Sequence, residues 1–175
     1  DLHSFPTRRS SDLYVDDMTL VENNVKNYPS TFQSVLNNFS DWALDNNMKI
    51  NPDKCYNMNV CFAKNMPRFP ELKLFNTDLQ TVNCVKILGI WISSDLKWDK
   101  HVDYIYNKAN GKMYMLKLLK KFDLSSLDLI TVYKGYIRPL TEYAAQVWNS
   151  GLTINQTSKL ERIQKRALKI ILGSA

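Results

Sequence analysis

Two adjacent aspartates, Asp16 and Asp17, stand in the stretch YVDDMTLVE near the start of a 175-residue chain. Carboxylates are hard oxygen ligands, and Mg²⁺ is commonly held by one or two of them together with substrate phosphates. Two such ions, about 4 Å apart, can activate an attacking hydroxyl and steady a leaving group at phosphorus. That chemistry needs its acids on a rigid support. β-Rich residues flank the pair on both sides, so the stretch reads as a hairpin with the acids at its tip. Adjacent aspartates also serve as plain turn residues, and the pair alone does not choose between the two readings.

The elements that would position this pair follow in order. STFQSVLNNFSDWALDNNMKIN reads as an amphipathic helix: Ser30 is placed to cap it, and Phe32, Val35, Leu36, Phe39, Trp42 and Ala43 share one face. NPDK is a turn that ends it. CYNMNVCF alternates, which predicts a strand with Tyr56, Met58, Val60 and Phe62 on a half-buried face. KLFNTDLQTV reads as two short strands around an Asn76-Thr77-Asp78 turn. VKILGIWIS reads as one more apolar strand with Gly89 in its middle, where a glycine marks a bulge or a close backbone approach.

From Asp99 the pattern turns helical. One helix is predicted over about 99–122, a second from near Ser125 with a bend at Pro139, and a third over about 156–172 with Gly173 as its stop. The predicted fold class is α+β, with an all-α part following and a boundary near Ser93–Trp98.

Charge divides along the same line. Residues 14–94 hold 7 Lys/Arg and 8 Asp/Glu, whereas residues 95–175 hold 14 and 7. A neutral half followed by a basic half points to a polyanion partner for the second, or to a solvated basic face. In the last helix Leu160, Ile163, Ala167, Leu168 and Ile171 form the predicted buried stripe, and Lys159, Arg162, Lys165, Arg166 and Lys169 lie mostly off it. LKLLKKF repeats the pattern with Lys117, Lys120 and Lys121. Such cations suit phosphate backbone contact without sequence readout.

Other classes recede. No run of eighteen apolar residues suggests a membrane span. Cys55, Cys61 and Cys84 are odd in number and lack a C-x-x-C pair, which argues against zinc and a disulfide framework and fits a reducing, intracellular compartment. Residues 1–13, DLHSFPTRRSSDL, show no periodicity and resemble the translation of a sequencing-library adapter. Native sequence is expected from Tyr14, with the first thirteen residues left out of fold reasoning.

YVDD, then the helix, then MKINPDKC, then VKILGIWIS resemble in order the second half of a reverse-transcriptase palm. Residues 96–122, 132–150 and 159–173 resemble the thumb-side helices of non-LTR (LINE-type) retrotransposon reverse transcriptases, closest to the jockey-like group. The resemblance covers residues 14–175. It implies a palm part over 14–94 and a thumb-like part over 95–175. It implies two-metal nucleotidyl transfer to a primer 3′ end, with Mg²⁺ or alternatively Mn²⁺ as cofactor.

The partners implied are an RNA template, a DNA primer and deoxynucleoside triphosphates, in the nucleus and cytoplasm. Asp16 matches the metal-ligating acid and Asp17 its neighbour. Tyr14 and Val15 match positions near the primer terminus. Lys54 lies near the expected general acid, with Lys49 as its rival, and Leu88, Gly89 and Ile90 match the primer-grip strand. The resemblance also implies a third carboxylate on a preceding strand. The 175 residues alone are therefore expected to be inactive and marginally folded. The alternative readings are a non-catalytic basic nucleic-acid-binding domain and a decayed element relic.

Overall fold

A computed structural model describes residues 9–14, 17–23, 30–64 and 67–173. Two compact units divide the chain: residues 1–57 with 65–81, and residues 58–64 with 82–175. The second carries sixteen Lys/Arg and seven Asp/Glu, so the positive charge follows the compact unit closely.

In the first unit β1 (Arg9–Tyr14) pairs antiparallel with β2 (Asp17–Glu22), from Arg9↔Glu22 to Tyr14↔Asp17. Part of the segment left out of fold reasoning thus supplies a strand. A ladder is made of main-chain groups and accepts almost any sequence that can extend.

Helix α1 (Phe32–Asp45) follows. Ser30 lies one residue before the cap position, yet its Oγ accepts the Phe32 N–H at 3.2 Å and donates to Glu22 Oε2 at 2.6 Å, tying the helix start to β2. Val35, Leu36, Ser40 and Ala43 are buried. Ser40, on the apolar face, donates back to the Leu36 carbonyl at 2.8 Å, the usual way a helical serine is made tolerable in a core.

Leu36, Leu72 and Leu74 form this unit's core, with Leu20, Phe32, Ile50, Cys55 and Leu79 against it. Each fully buried leucine contributes about 1.5–3 kcal/mol. Gln33 clips α1 to β4 (Lys73–Leu74): its Nε2 donates to the Lys73 carbonyl at 2.8 Å and its Oε1 accepts the Lys73 N–H at 2.9 Å.

Two strand expectations need correction here. β3 is only Tyr56–Asn57, paired parallel with β6 (Gln80–Thr81). Tyr56, Val60 and Phe62 are exposed. Alternation offers a face to bury, but beyond two residues no strand among the described residues pairs with it. The turn between β4 and β5 (Thr77–Asp78) is Phe75-Asn76, both at positive φ, not Asn76–Asp78.

In the second unit VKILGIWIS is a hairpin rather than one strand. β7 (Cys84–Ile87) and β8 (Ile90–Ser93) pair antiparallel around Leu88-Gly89, both at positive φ, the signature of a type I′ turn.

Helix α2 (Asp99–Lys121) buries Val102, Ile105, Ala109, Met113 and Leu116. α3 (Ser126–Val132) is capped by Ser125, whose Oγ accepts the Asp128 N–H at 3.2 Å. At Pro139 the chain does more than bend. A π-helical turn over Tyr133–Ile137 leads into α4 (Arg138–Glu142), absorbing the donor that proline lacks.

Ala144 at φ +50 separates α4 from α5 (Ala145–Trp148). α6 (Ile154–Leu172) opens on a capping box between Thr153 and Gln156 and ends at Gly173. Ile163, Ala167 and Ile171 are buried as expected, but Leu168 is 43% exposed and Gln156 is buried in its stead.

α2 packs along α6, and Ala109, Met113, Leu116, Leu129, Ile137, Ile163, Ala167 and Ile171 form one core. The β7–β8 hairpin joins α2, so compactness divides the chain at Thr81/Val82, ahead of the Ser93–Trp98 boundary expected from the sequence. The chain is mixed α and β, compatible with α+β.

Candidate functional site

Asp17 is exposed and opens β2, and Tyr14, 64% exposed, closes β1 opposite it. Only Val15 and Asp16 stand between them in the sequence; both lie outside the described residues. Among the described residues the Asp17 carboxylate has no ion pair or hydrogen bond, so its oxygens are open to a hard cation. No group of three or more His, Cys, Asp or Glu side chains is gathered as a metal site among the described residues.

Lys54 ends a short 3₁₀ turn, Pro52–Lys54, that Asn51 caps by accepting the Asp53 N–H at 3.0 Å. It is exposed, as is Lys49. The nearby Cys55 thiol is pushed up by burial and donates to the Asn51 carbonyl.

At the β7–β8 turn Leu88 is exposed and Ile90 buried. Tyr143, unremarked in the sequence, holds this turn. Its hydroxyl donates to the Leu88 carbonyl at 2.9 Å, and a Cβ on Gly89 would lie 3.2 Å from its ring. No spacing rule links positions 55 residues apart, so only the fold could reveal the pair.

The predicted cations fall into two groups. Lys117, Lys120, Arg166 and Lys169 line one open hollow of about 450 Å³ with Ile170 and Gly173, where α2 passes α6. Lys120 also donates to the Ile171 carbonyl at 3.1 Å, satisfying an end group of α6, and Arg166 donates to Asn110 Oδ1 at 3.0 Å. Lysine has three donors and arginine five, so each keeps donors for a ligand.

Lys121, Arg162 and Lys165 do not line the hollow. Lys165 pairs with Glu161 at 3.5 Å, and Arg162 donates to the Ser158 carbonyl at 3.3 Å. Lys159 is taken by Asp103.

The chain is 29% identical over 77% of its length to a probable RNA-directed DNA polymerase from transposon X-element of Drosophila melanogaster. It is 26% and 25% identical over 92% of its length to the RNA-directed DNA polymerases from mobile element jockey of Drosophila melanogaster and Drosophila funebris. Its relatives are mobile-element RNA-directed DNA polymerases. The chain spans 15% to 18% of the length of these curated relatives. No protein-family profile matches it, and no solved structure matches it significantly.

The resemblance to jockey-like polymerases read from the motifs is thereby shown. No helix among the described residues is long and apolar enough to cross a membrane.

Proposed function

We propose that this chain is the palm-end and thumb-like part of an RNA-directed DNA polymerase, acting with an RNA template, a DNA primer and deoxynucleoside triphosphates. The reading gives it an intracellular place, in nucleus and cytoplasm. The observation that carries it is similarity to mobile-element polymerases over 92% of the chain.

Asp16 and Asp17 would hold Mg²⁺ or Mn²⁺; the exposed Asp17 carboxylate suits such an ion. Bound metal would lower the pKa of the primer hydroxyl and neutralise the leaving pyrophosphate. Tyr14 and Val15 border the acids and would pack near the primer terminus. Lys54, or Lys49, would give its proton to the departing pyrophosphate. The Leu88-Gly89-Ile90 turn, steadied by Tyr143, would set main chain against primer phosphates. The cations of α2 and α6 would hold the duplex backbone.

The 175 residues alone do not extend a primer in this reading, since the site needs a third carboxylate and the chain spans under a fifth of its relatives. The test is primer extension on an RNA template by the chain joined to the upstream segment of its source gene. Asp16→Asn should cost on the order of 10²-fold or more, the scale of losing one electrostatic stabiliser. Extension unaffected by Asp16→Asn, or extension by the 175 residues alone, contradicts the proposal.

The hollow ringed by four cations favours a second reading, a non-catalytic binder of nucleic-acid backbone. Duplex binding without reaction, even after the upstream segment is restored, decides for it.

A further inference from the structure

The β7–β8 hairpin is held at two points, and both holds end at one aromatic cluster. At the turn the Leu88 carbonyl accepts from the Tyr143 hydroxyl at 2.9 Å, and the Tyr143 carbonyl accepts in turn from Trp148 Nε1 at 3.0 Å. Along the strand the Trp91 N–H donates to His101 Nδ1 at 3.3 Å. His101 and Trp148 are both buried and meet edge to face, with 5.4 Å between ring centres. The contacts thus close a ring from the turn through the end of α4, α5 and α2 back to the hairpin.

The ladder leaves the Trp91 N–H unused. Ile87 and Ile90 close the two-residue turn as a hydrogen-bonded pair, so Lys86 and Trp91 form the next, non-bonded pair, and the Trp91 N–H points away from β7. A ring nitrogen can receive it only with a lone pair, which Nδ1 has when the imidazole is neutral and protonated on Nε2.

A second proton goes to Nδ1, since no other ring atom has a free lone pair. It turns that atom from acceptor to donor and sets two N–H groups against each other. The imidazolium also finds no counter-charge. β8 and α5 carry no ionisable side chain. On the other elements the charged groups have partners of their own. Asp99 accepts from Gln156 of α6, and Lys100 lies 3.8 Å from the centre of the Trp91 ring. Lys86 of β7 donates to Tyr104, Asp95 pairs with Lys97 ahead of α2, and Arg138 pairs with Glu142 on α4. Burial holds the His101 pKa below its ordinary value, so the bond from Trp91 is intact at neutral pH and is lost as pH falls through the folded value.

We infer that His101 is a proton-operated latch, which holds the β7–β8 hairpin to α2 when neutral and releases it in mild acid while the α2–α6 core stays folded. One consequence rests on the polymerase reading above: with Leu88-Gly89-Ile90 as the primer-holding turn, acid loosens the hold on the primer.

The test is amide hydrogen exchange of the full 175-residue chain between about pH 5 and pH 7.5, corrected for the intrinsic pH dependence of exchange. Opening at the Trp91 amide should grow by up to about tenfold per pH unit below the folded His101 value. Met113 and Ile163, buried in the α2–α6 core, should keep their protection. His101→Asn, which accepts without titrating, should keep the Trp91 amide protected across the range.

The wild-type chain supplies a second readout that needs no variant. Followed by NMR, the His101 ring nitrogens should titrate at the pH where the Trp91 amide signal moves. Trp91 protection that does not change with pH, or two midpoints that differ, overturns the inference. Loss of protection at Trp91, Met113 and Ile163 together also overturns it, because that is unfolding of the whole unit. None of these measurements uses nucleic acid, so their failure leaves the polymerase reading in place, and a failure of primer extension leaves the latch in place.

Discussion

The Tyr143 hydroxyl donates to the Leu88 carbonyl at 2.9 Å, and its ring closes over Gly89. This ties a hairpin turn to the end of α4, and Trp148 Nε1 in turn donates to the Tyr143 carbonyl at 3.0 Å. Tyr143→Phe should cost about 0.5–1.5 kcal/mol, the net worth of one hydrogen bond. Gly89→Ala should cost about 1–2 kcal/mol, because φ is +86° and the new methyl meets the ring. Urea denaturation of the two variants measures both; a Gly89→Ala protein as stable as wild type rules out the tight turn.

His101 makes stability depend on pH. It is 2% exposed, lies edge-on to Trp98 and Trp148, and its Nδ1 accepts the Trp91 N–H at 3.3 Å. The proton of the neutral ring therefore sits on Nε2, which has no hydrogen-bond partner among the described residues. Burial lowers the His101 pKa below its ordinary 6.5. The neutral form's stability is thus complete above about pH 6.5 and is lost as pH falls through the folded value, at up to about 1.4 kcal/mol per pH unit. The melting temperature should drop between neutral and mildly acid pH. His101→Asn, which retains an acceptor but does not titrate, should flatten that drop.

Gly151 is set by Trp98. A Cβ there would lie 2.6 Å from the indole Nε1, so Gly151→Ala must displace a ring packed on His101. The expected cost is about 1–3 kcal/mol. Gly111→Ala is the contrast: it lies inside α2 with nothing within 4 Å and should stabilise by about 0.5–1 kcal/mol. Equal effects at the two sites would contradict this packing.

Limited proteolysis should release a stable fragment beginning near Val82. Thr81 and Asn83 are exposed, and the β7–β8 hairpin is packed with α2. Cutting between Ser93 and Trp98 that leaves stable helices without the hairpin would show that the hairpin is not part of this unit.

What could be read ahead of the structure depended on whether the deciding partner was near in sequence. α2 and α6 were legible because Val102, Ile105, Ala109, Met113 and Ile163, Ala167, Ile171 recur at helical spacing, and Gly173 marks a stop. Leu88-Gly89 was not legible as a turn, since Ile87 and Ile90 flank it and no polar turn residue stands beside it. Tyr56 to Phe62 alternates correctly for a strand, but alternation cannot supply the neighbour that a strand must pair with.

The cations were legible as a class and not as a site. Lys117 and Lys120 meet Arg166 and Lys169 only because α2 lies along α6. The acidic pair remains legible chiefly in sequence: Asp17 is placed at the start of β2, and Asp16 lies outside the described residues.

Phe75 adopts φ +49 in the turn between β4 and β5, ahead of Asn76 at +63. A bulky side chain in the left-handed region costs about 1–2 kcal/mol that asparagine or glycine would largely avoid. That makes the turn a handle for engineering: rewriting it as Asn-Gly would raise thermal tolerance while leaving every buried leucine, every acid of the hairpin and every cation of the helices as it is. For a protein meant for expression and crystallisation, this turn is where redesign should begin.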